Sequence, residues 1–231
     1  TPSHPNSMSG MDSFLPGAIG LSDLLHQEGY RLAFLGGADL NFGGKGKFLR
    51  SHHFDEVLGR AELEPKLKDP TYVNGWGLYD DSLLDLVYDR YTELAANHQP
   101  FGLFLLTLNT HSPHGLPSKS DELSPYGDGS NRMLTAVKAS ALHIVKFVRR
   151  VQASPWGKDT VIVIVSDHIA MPNEATALLD RGIRKNLFLI LDPKIKRGAS
   201  IARLGSTFDI GPTLLPFLGF TGSIGLGRNL L

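Results

Sequence analysis

The chain has 231 residues, 42% of them hydrophobic and 20% charged, with 23 basic and 23 acidic side chains in formal balance. That length accommodates one substantial α/β domain, and the balance supplies no global field toward nucleic acid or an anionic membrane. The lack of cysteine excludes disulfides and thiolate metal sites, and no apolar run approaches the roughly 18–20 residues of a spanning helix.

The sequence starts without an initiator methionine or a basic-then-apolar leader, so it is expected to carry no signal peptide and to be a cut through a longer protein. Residues 1–16 are polar and turn-prone and are expected to form an irregular leader to a single domain spanning 1–231. Residues 19–28 are amphipathic and stop at Gly29, which predicts a helix. Residues 30–35 read as a strand closed by Gly36-Gly37, followed by a Gly-rich loop and a short basic helix over 47–53. Residues 59–75 look irregular, broken by Pro65 and Pro70. Residues 80–97 repeat apolar side chains at Leu83, Leu84, Val87, Tyr91 and Leu94 behind Asp80 and Asp81, which predicts a helix with acids at its positive end.

Residues 101–108 form the next predicted strand, and a Pro/Gly/Ser/Asp-rich loop runs from 111 to 130. A helix over 132–152 leads to Val161-Ile162-Val163-Ile164-Val165, five β-branched residues that fit a strand buried on both faces. A short helix near 173–179, a strand over 186–191 and a last helix beginning at 207, complicated by Pro212 and Pro216, complete the order. Strands alternating with helices predict an α/β fold, a largely parallel β-sheet sandwiched by helices.

The chemistry clusters at predicted strand ends, where open α/β proteins place ligands. Asp167-His168 follows the Val/Ile run and offers a carboxylate oxygen and an imidazole nitrogen to one divalent cation, or simply caps the next turn. His111 and His114 follow the 101–108 strand; they are either solvated loop histidines or metal ligands, although Pro113 prevents a regular helix from presenting them together. The stretch 36–47 suggests a phosphate loop, but neither Gly44-Lys45 nor Gly46-Lys47 has the preceding glycine or following Ser/Thr that an ATP-binding loop requires. Contact of Lys45 or Lys47 with a phosphate remains chemically reasonable there. His52-His53 is expected to pack or solvate rather than ligate, and no Gly-x-Ser-x-Gly elbow supports a serine esterase.

Several ordered segments then carry a family resemblance over nearly the whole chain: Asn41-Phe42-Gly43-Gly44-Lys45, Ser51-His52-His53-Phe54-Asp55, Trp76-Gly77-Leu78-Tyr79-Asp80-Asp81, Asn109-Thr110-His111-Ser112-Pro113, Ser166-Asp167-His168 and Gly225-Leu226-Gly227-Arg228. Asp209-Ile210-Gly211-Pro212 fits a late helix of the same group. Together they resemble the phosphoglycerol transferases of osmoregulated periplasmic glucan synthesis. Those belong to the sulfatase and alkaline phosphatase superfamily, which also contains the lipoteichoic acid synthases.

The resemblance implies a metal-bound threonine that attacks the phosphorus of phosphatidylglycerol, a covalent phosphoglycerol-enzyme, and a glucan hydroxyl that displaces it. It implies Asp167 and His168 as ligands of a divalent metal, Mn²⁺ or Mg²⁺ with Zn²⁺ left open. It further implies His111, Lys45 and Asn41 on the glycerophosphate, and a periplasmic domain anchored to the inner membrane by an absent N-terminal segment. Lys45 falls where lipoteichoic acid synthases carry an arginine, and Gly43 where they carry a tryptophan. The first metal-binding acid and the threonine fall upstream of the stretch aligned with Thr1, so the chain alone is expected to be inactive and to hold metal weakly or not at all. A sulfatase or phosphodiesterase hydrolase, and a non-catalytic glycan- or lipid-binding domain, are the alternatives.

Overall fold

A computed structural model describes residue 11 and residues 14–231; all but the end of the leader expected over 1–16 lies outside the described residues. Arg31–Gly36 forms β1, the middle strand of a three-stranded parallel sheet in the order β2-β1-β3, with β2 at Glu56–Leu58 and β3 at Phe101–Leu106. β1 pairs with β3 from Arg31↔Phe101 to Gly36↔Leu106, and with β2 from Ala33↔Glu56 to Leu35↔Leu58. β2 is an addition to the sequence reading. Three residues are too short to show a period, and the strand is held by Asp55, whose carboxylate accepts the Leu32 N–H at 2.7 Å while its own N–H donates to the Leu32 carbonyl.

β1 alternates its side chains between two cores. Ala33 and Leu35 face α4, Asp80–Ala96, whose Leu83, Val87 and Leu94 join Leu63 and Leu78 in one buried cluster. Phe34 faces the other way, with Leu40, Val57, Phe54, Phe104 and Leu49 of α2, Lys45–Ser51. α1, Leu21–Gln27, lies on this second face and is ended by Gly29 in the left-handed region. Helices therefore cover both faces of the parallel sheet, as expected. Within the stretch read as irregular, Arg60–Leu63 makes a single turn, α3, before a 3₁₀ turn at Glu64–Lys66.

After β3 come the one-turn α5, Lys119–Glu122, and the long α6, Arg132–Ala153, N-capped by the Asn131 side chain accepting from Leu134 N–H. α6 packs on α4, with Phe147 against Tyr88 and the Arg150 guanidinium over the Tyr88 ring. β4, Ile162–Val165, pairs antiparallel with β5, Phe188–Leu191, from Ile162↔Leu191 to Val165↔Phe188. α7, Thr176–Leu179, lies between them. Near the C-terminus, α8, Ile210–Leu214, runs into a 3₁₀ turn over Leu215–Leu218 that contains Pro216.

β4 corrects the sequence reading in two ways. It is not hydrogen-bonded into the parallel sheet, and its side chains alternate between half-buried and exposed, with Val163 36% and Val165 42% accessible. A Val/Ile run is compatible with two-sided burial, but in a two-stranded ribbon only one face meets the helices. Ile162 of β4 packs, as Phe101 and Leu103 of β3 do, against the buried cluster of Tyr91, Ala95 and Val151, so both strands lie over α4 and α6. By the ladder register Val163 and Val165 share this half-open face with Ile190 and Phe188, while Leu189 points to the side of Ile162 and Ile164.

Candidate functional site

The loop that leaves β1 is shaped by glycine. Gly43 and Gly44 both adopt left-handed backbone (φ 66° and 74°), which turns the chain back so that Gly44 N–H donates to the Asn41 carbonyl and α2 begins at Lys45. The turn projects Phe42 outward, 57% exposed, with the Lys45 ammonium 5.3 Å from its ring centroid. Partial burial lowers the Lys45 pKa, and the nearby Asp39 carboxylate opposes that shift. Asn41 is exposed, and its backbone N–H is held by the Asp39 carboxylate at 2.7 Å.

A second loop is docked onto the same strand end. Leu78 N–H donates to the Gly37 carbonyl at 3.1 Å, and an isolated bridge pairs Ala38 with Gly77. Asn74 Oδ1 accepts from both Trp76 N–H (2.8 Å) and Gly77 N–H (3.1 Å), which holds the turn. Gly77 has φ 149°, and a Cβ there would collide with the Gly37 carbonyl. Gly77→Ala is therefore expected to cost about 3 kcal/mol, a fall of roughly 10 °C in Tm. Gly75→Ala, with open space around its Cβ, should melt like the parent in the same calorimetric scan.

These loops meet the one that follows β3. The Trp76 ring lies 4.0 Å from that of His111, tilted by 31°, and meets Phe42 at 5.4 Å and 86°. The His111 Nδ1–H donates to the Ser112 carbonyl at 2.7 Å, an assignment that leaves Nε2 as the nitrogen available to a ligand. Lys45, Phe42, Trp76 and His111 thus form one continuous surface on the edge where β1 and β3 end. Trp76 was not singled out as a site residue from the sequence. Its signal was a bulky ring between two glycines, Gly75-Trp76-Gly77, which an exposed platform needs and a core residue does not.

Asp167 and His168 follow β4 directly. The β4–β5 pairing extends one residue further, with Ser166 N–H donating to the Leu187 carbonyl and Leu187 N–H to Ser166 Oγ, which fixes the backbone just before them. Their loop is joined to the His111 loop through Glu174: its N–H donates to the Pro113 carbonyl at 3.0 Å, and its carboxylate accepts from His114 Nδ1–H at 2.5 Å. The loops after β3 and β4 are therefore tethered to one another. His114 is engaged with Glu174 and is not drawn into a metal pair with His111.

The His168 Nδ1–H donates to the Ile169 carbonyl at 2.8 Å, leaving Nε2 facing Asp167 Oδ2 at 3.3 Å. Two donors at that separation match one edge of a coordination polyhedron with bonds of about 2.1 Å, and the backbone carbonyl is the usual partner of a ligating imidazole. The pair fits two positions of a divalent cation site. Among the described residues no group of three or more candidate ligands gathers.

The remaining polar residues of interest are structural. His52 is buried, its Nδ1 3.1 Å from Asp23 and its ring against Phe48, as expected for a packed histidine. Asp80 is fully buried; its carboxylate accepts from Leu108 N–H (2.7 Å), Asn109 N–H (3.1 Å) and Ser140 Oγ–H (2.6 Å). It opens α4 and also fixes the exit of the chain toward His111.

Comparison with known proteins agrees with this architecture. The sulfatase family pattern matches residues 3–220. Phosphoglycerol transferase I of Salmonella choleraesuis (strain SC-B67) and that of Salmonella typhimurium (strain LT2) are each 42% identical to the chain over 232 aligned residues, covering all of it. The chain spans 30% of the length of these relatives. Among solved structures, the lipoteichoic acid synthase LtaP of Listeria monocytogenes superposes with a TM-score of 0.75 at 18% identity, covering 90% of this chain and 54% of that one. A protein of the alkaline phosphatase superfamily from Vibrio parahaemolyticus gives 0.75 at 24% identity, covering 93% and 51%. The parallel sheet flanked by helices is thus the alkaline phosphatase-like fold, and the chain belongs to the sulfatase family.

Proposed function

We propose that the chain is part of the catalytic domain of a phosphoglycerol transferase that moves phosphoglycerol from phosphatidylglycerol to a periplasmic glucan. The observation that carries this reading is the 42% identity over the whole chain to phosphoglycerol transferase I, together with the surface that runs from Lys45 through Phe42 and Trp76 to His111. In this reading Lys45 and His111 Nε2 hold the phosphate of the head group, and Asn41 stands at the rim of the same loop. Asp167 and His168 supply two ligands of a divalent metal, Mn²⁺ or Mg²⁺ by their oxygen and single imidazole donors, with the others coming from outside the described residues. Such a cation lowers the pKa of a bound hydroxyl and neutralises phosphate charge.

A threonine, also from outside the described residues, attacks phosphorus while the P–O bond to diacylglycerol breaks. A glucan hydroxyl then attacks the phosphothreonine, forming the glucan phosphodiester and returning the threonine hydroxyl. The half-open apolar face of Val163 and Val165 suits contact with the rest of that catalytic domain, in line with the chain spanning 30% of its relatives. No described helix is long and apolar enough to cross a membrane, and the anchor to the inner membrane belongs in this reading to another part of the protein.

The test is turnover of phosphatidylglycerol by the full-length protein with and without glucan. Diacylglycerol release coupled to glucan labelling is the expected result. Release of free glycerophosphate at the same rate without glucan would mean a hydrolase of the same superfamily, and no release in either case a non-catalytic domain.

A further inference from the structure

Beside the phosphate-facing residues lies a cleft of about 480 Å³ lined by Ala38, Asp39, Phe42, Arg60, Gly75 and Trp76. Its walls are two large aromatic rings, 57% and 38% exposed, that meet at 86° and are held in place by the Gly43-Gly44 turn and by the Asn74 turn docked on Gly37. Rigid aromatic faces left open at a strand end are surfaces for a ligand with an apolar face of its own. The polar groups between them carry little unbalanced charge: Arg60 is paired with Glu64 at 2.7 Å, and Asp39 lies within the field of Lys45. An anion therefore gains little here, in contrast to the Lys45–His111 side of the same surface. The two rings form a corner and not a parallel slot, so a flat base sandwiched between them is also disfavoured.

A neutral, polyhydroxylated ring with a C–H face meets all three conditions. It can lie on one aromatic plane, abut the other, and hydrogen-bond to Asp39 and Arg60. We propose that this cleft is a saccharide subsite, in which Phe42 and Trp76 bind a pyranose ring of the acceptor. Trp76 also contacts His111, so a sugar held here has its hydroxyls beside the residues assigned to the phosphate. The acceptor role rests on the transferase reading; the affinity for neutral sugar does not.

The chain has two tryptophans, Trp76 and Trp156, so Trp156→Phe leaves Trp76 as the single indole reporter. Titration of that variant with a β-linked glucose tetrasaccharide should give a saturable change in emission. Adding Phe42→Ala in the same background should weaken the response at least about tenfold. By calorimetry Trp76→Ala should weaken tetrasaccharide binding similarly, while Trp156→Phe binds like the parent. Absence of a saturable response up to about 10 mM sugar with native circular dichroism, or equal affinity in Trp76→Ala and the parent, would overturn the assignment. Tighter binding of adenosine than of the sugar would overturn it in favour of a base site. Sugar binding without phosphatidylglycerol turnover by the full-length protein would sink the transferase reading alone; turnover without sugar binding would sink only the subsite.

Discussion

Asp167→Asn in the full-length protein is expected to lower phosphatidylglycerol turnover by at least about a thousandfold, because it removes the charge of one of the two adjacent donors proposed for the metal. His168 Nε2 sits 3.3 Å from Asp167 Oδ2 with its Nδ1–H already given to the Ile169 carbonyl, so the two donors can serve one cation without rearrangement of the ring. An amide keeps one oxygen donor but not the charge, which is what an oxygen-loving divalent ion requires. The control is His52→Ala. Its partner Asp23 is left buried, so Tm should fall, yet turnover per folded molecule should stay within about twofold of the parent, since His52 lies away from the strand ends that carry the site. Equal loss in both variants would mean that the site has been placed wrongly. The chain of 231 residues is itself expected to bind Mn²⁺ more weakly than about 1 μM in calorimetry, because two donors make a short chelate. Tight stoichiometric binding would show that it contains further ligands.

Most of the architecture was legible from sequence where one element carries its own period. The helix at Asp80–Ala96 shows five apolar residues on a 3.6-residue repeat, and the one at Arg132–Ala153 is long enough that its length alone distinguishes it from a strand. What failed depends on neighbours. The run 161–165 has the composition of a doubly buried strand, but composition reports what a strand tolerates, not how many helices and strands lie against it; Val163 and Val165 are half open because the ribbon has one covered face. Asp167, His168, His111 and Lys45 could be named because each follows a predicted strand or its loop. The meeting of their loops could not be read, since it depends on contacts with no local signature: Leu78 docking on Gly37, Trp76 against His111, and Glu174 joining the loops after β3 and β4.

Asp80→Ala is expected to be among the most destabilising single substitutions, with a loss of about 3–5 kcal/mol by chemical denaturation. The carboxylate answers three donors at once, two of them backbone N–H groups of the segment that leads from β3 to His111. Removing it strands Leu108 N–H, Asn109 N–H and Ser140 Oγ–H in a site with no access to water. Asp80→Asn should cost much less. Its amide oxygen can still accept from the backbone, and its NH₂ can donate to the Ser140 hydroxyl, which turns to accept. The two variants also differ in pH dependence. Burial raises the Asp80 pKa despite the three hydrogen bonds that favour the anion, so the folded state binds this proton more tightly than the unfolded chain does. That contribution is fully present below the unfolded value of about 3.9 and is lost as pH rises through the folded one. Asp80→Asn, which does not titrate, should gain relative to the parent as pH climbs from about 4 toward neutrality. A parent and variant whose denaturation midpoints stay at constant separation across that range would show that the carboxylate is not raised. The geometry would then read as a fully solvated-equivalent anion, stabilised by its three donors as well as by water.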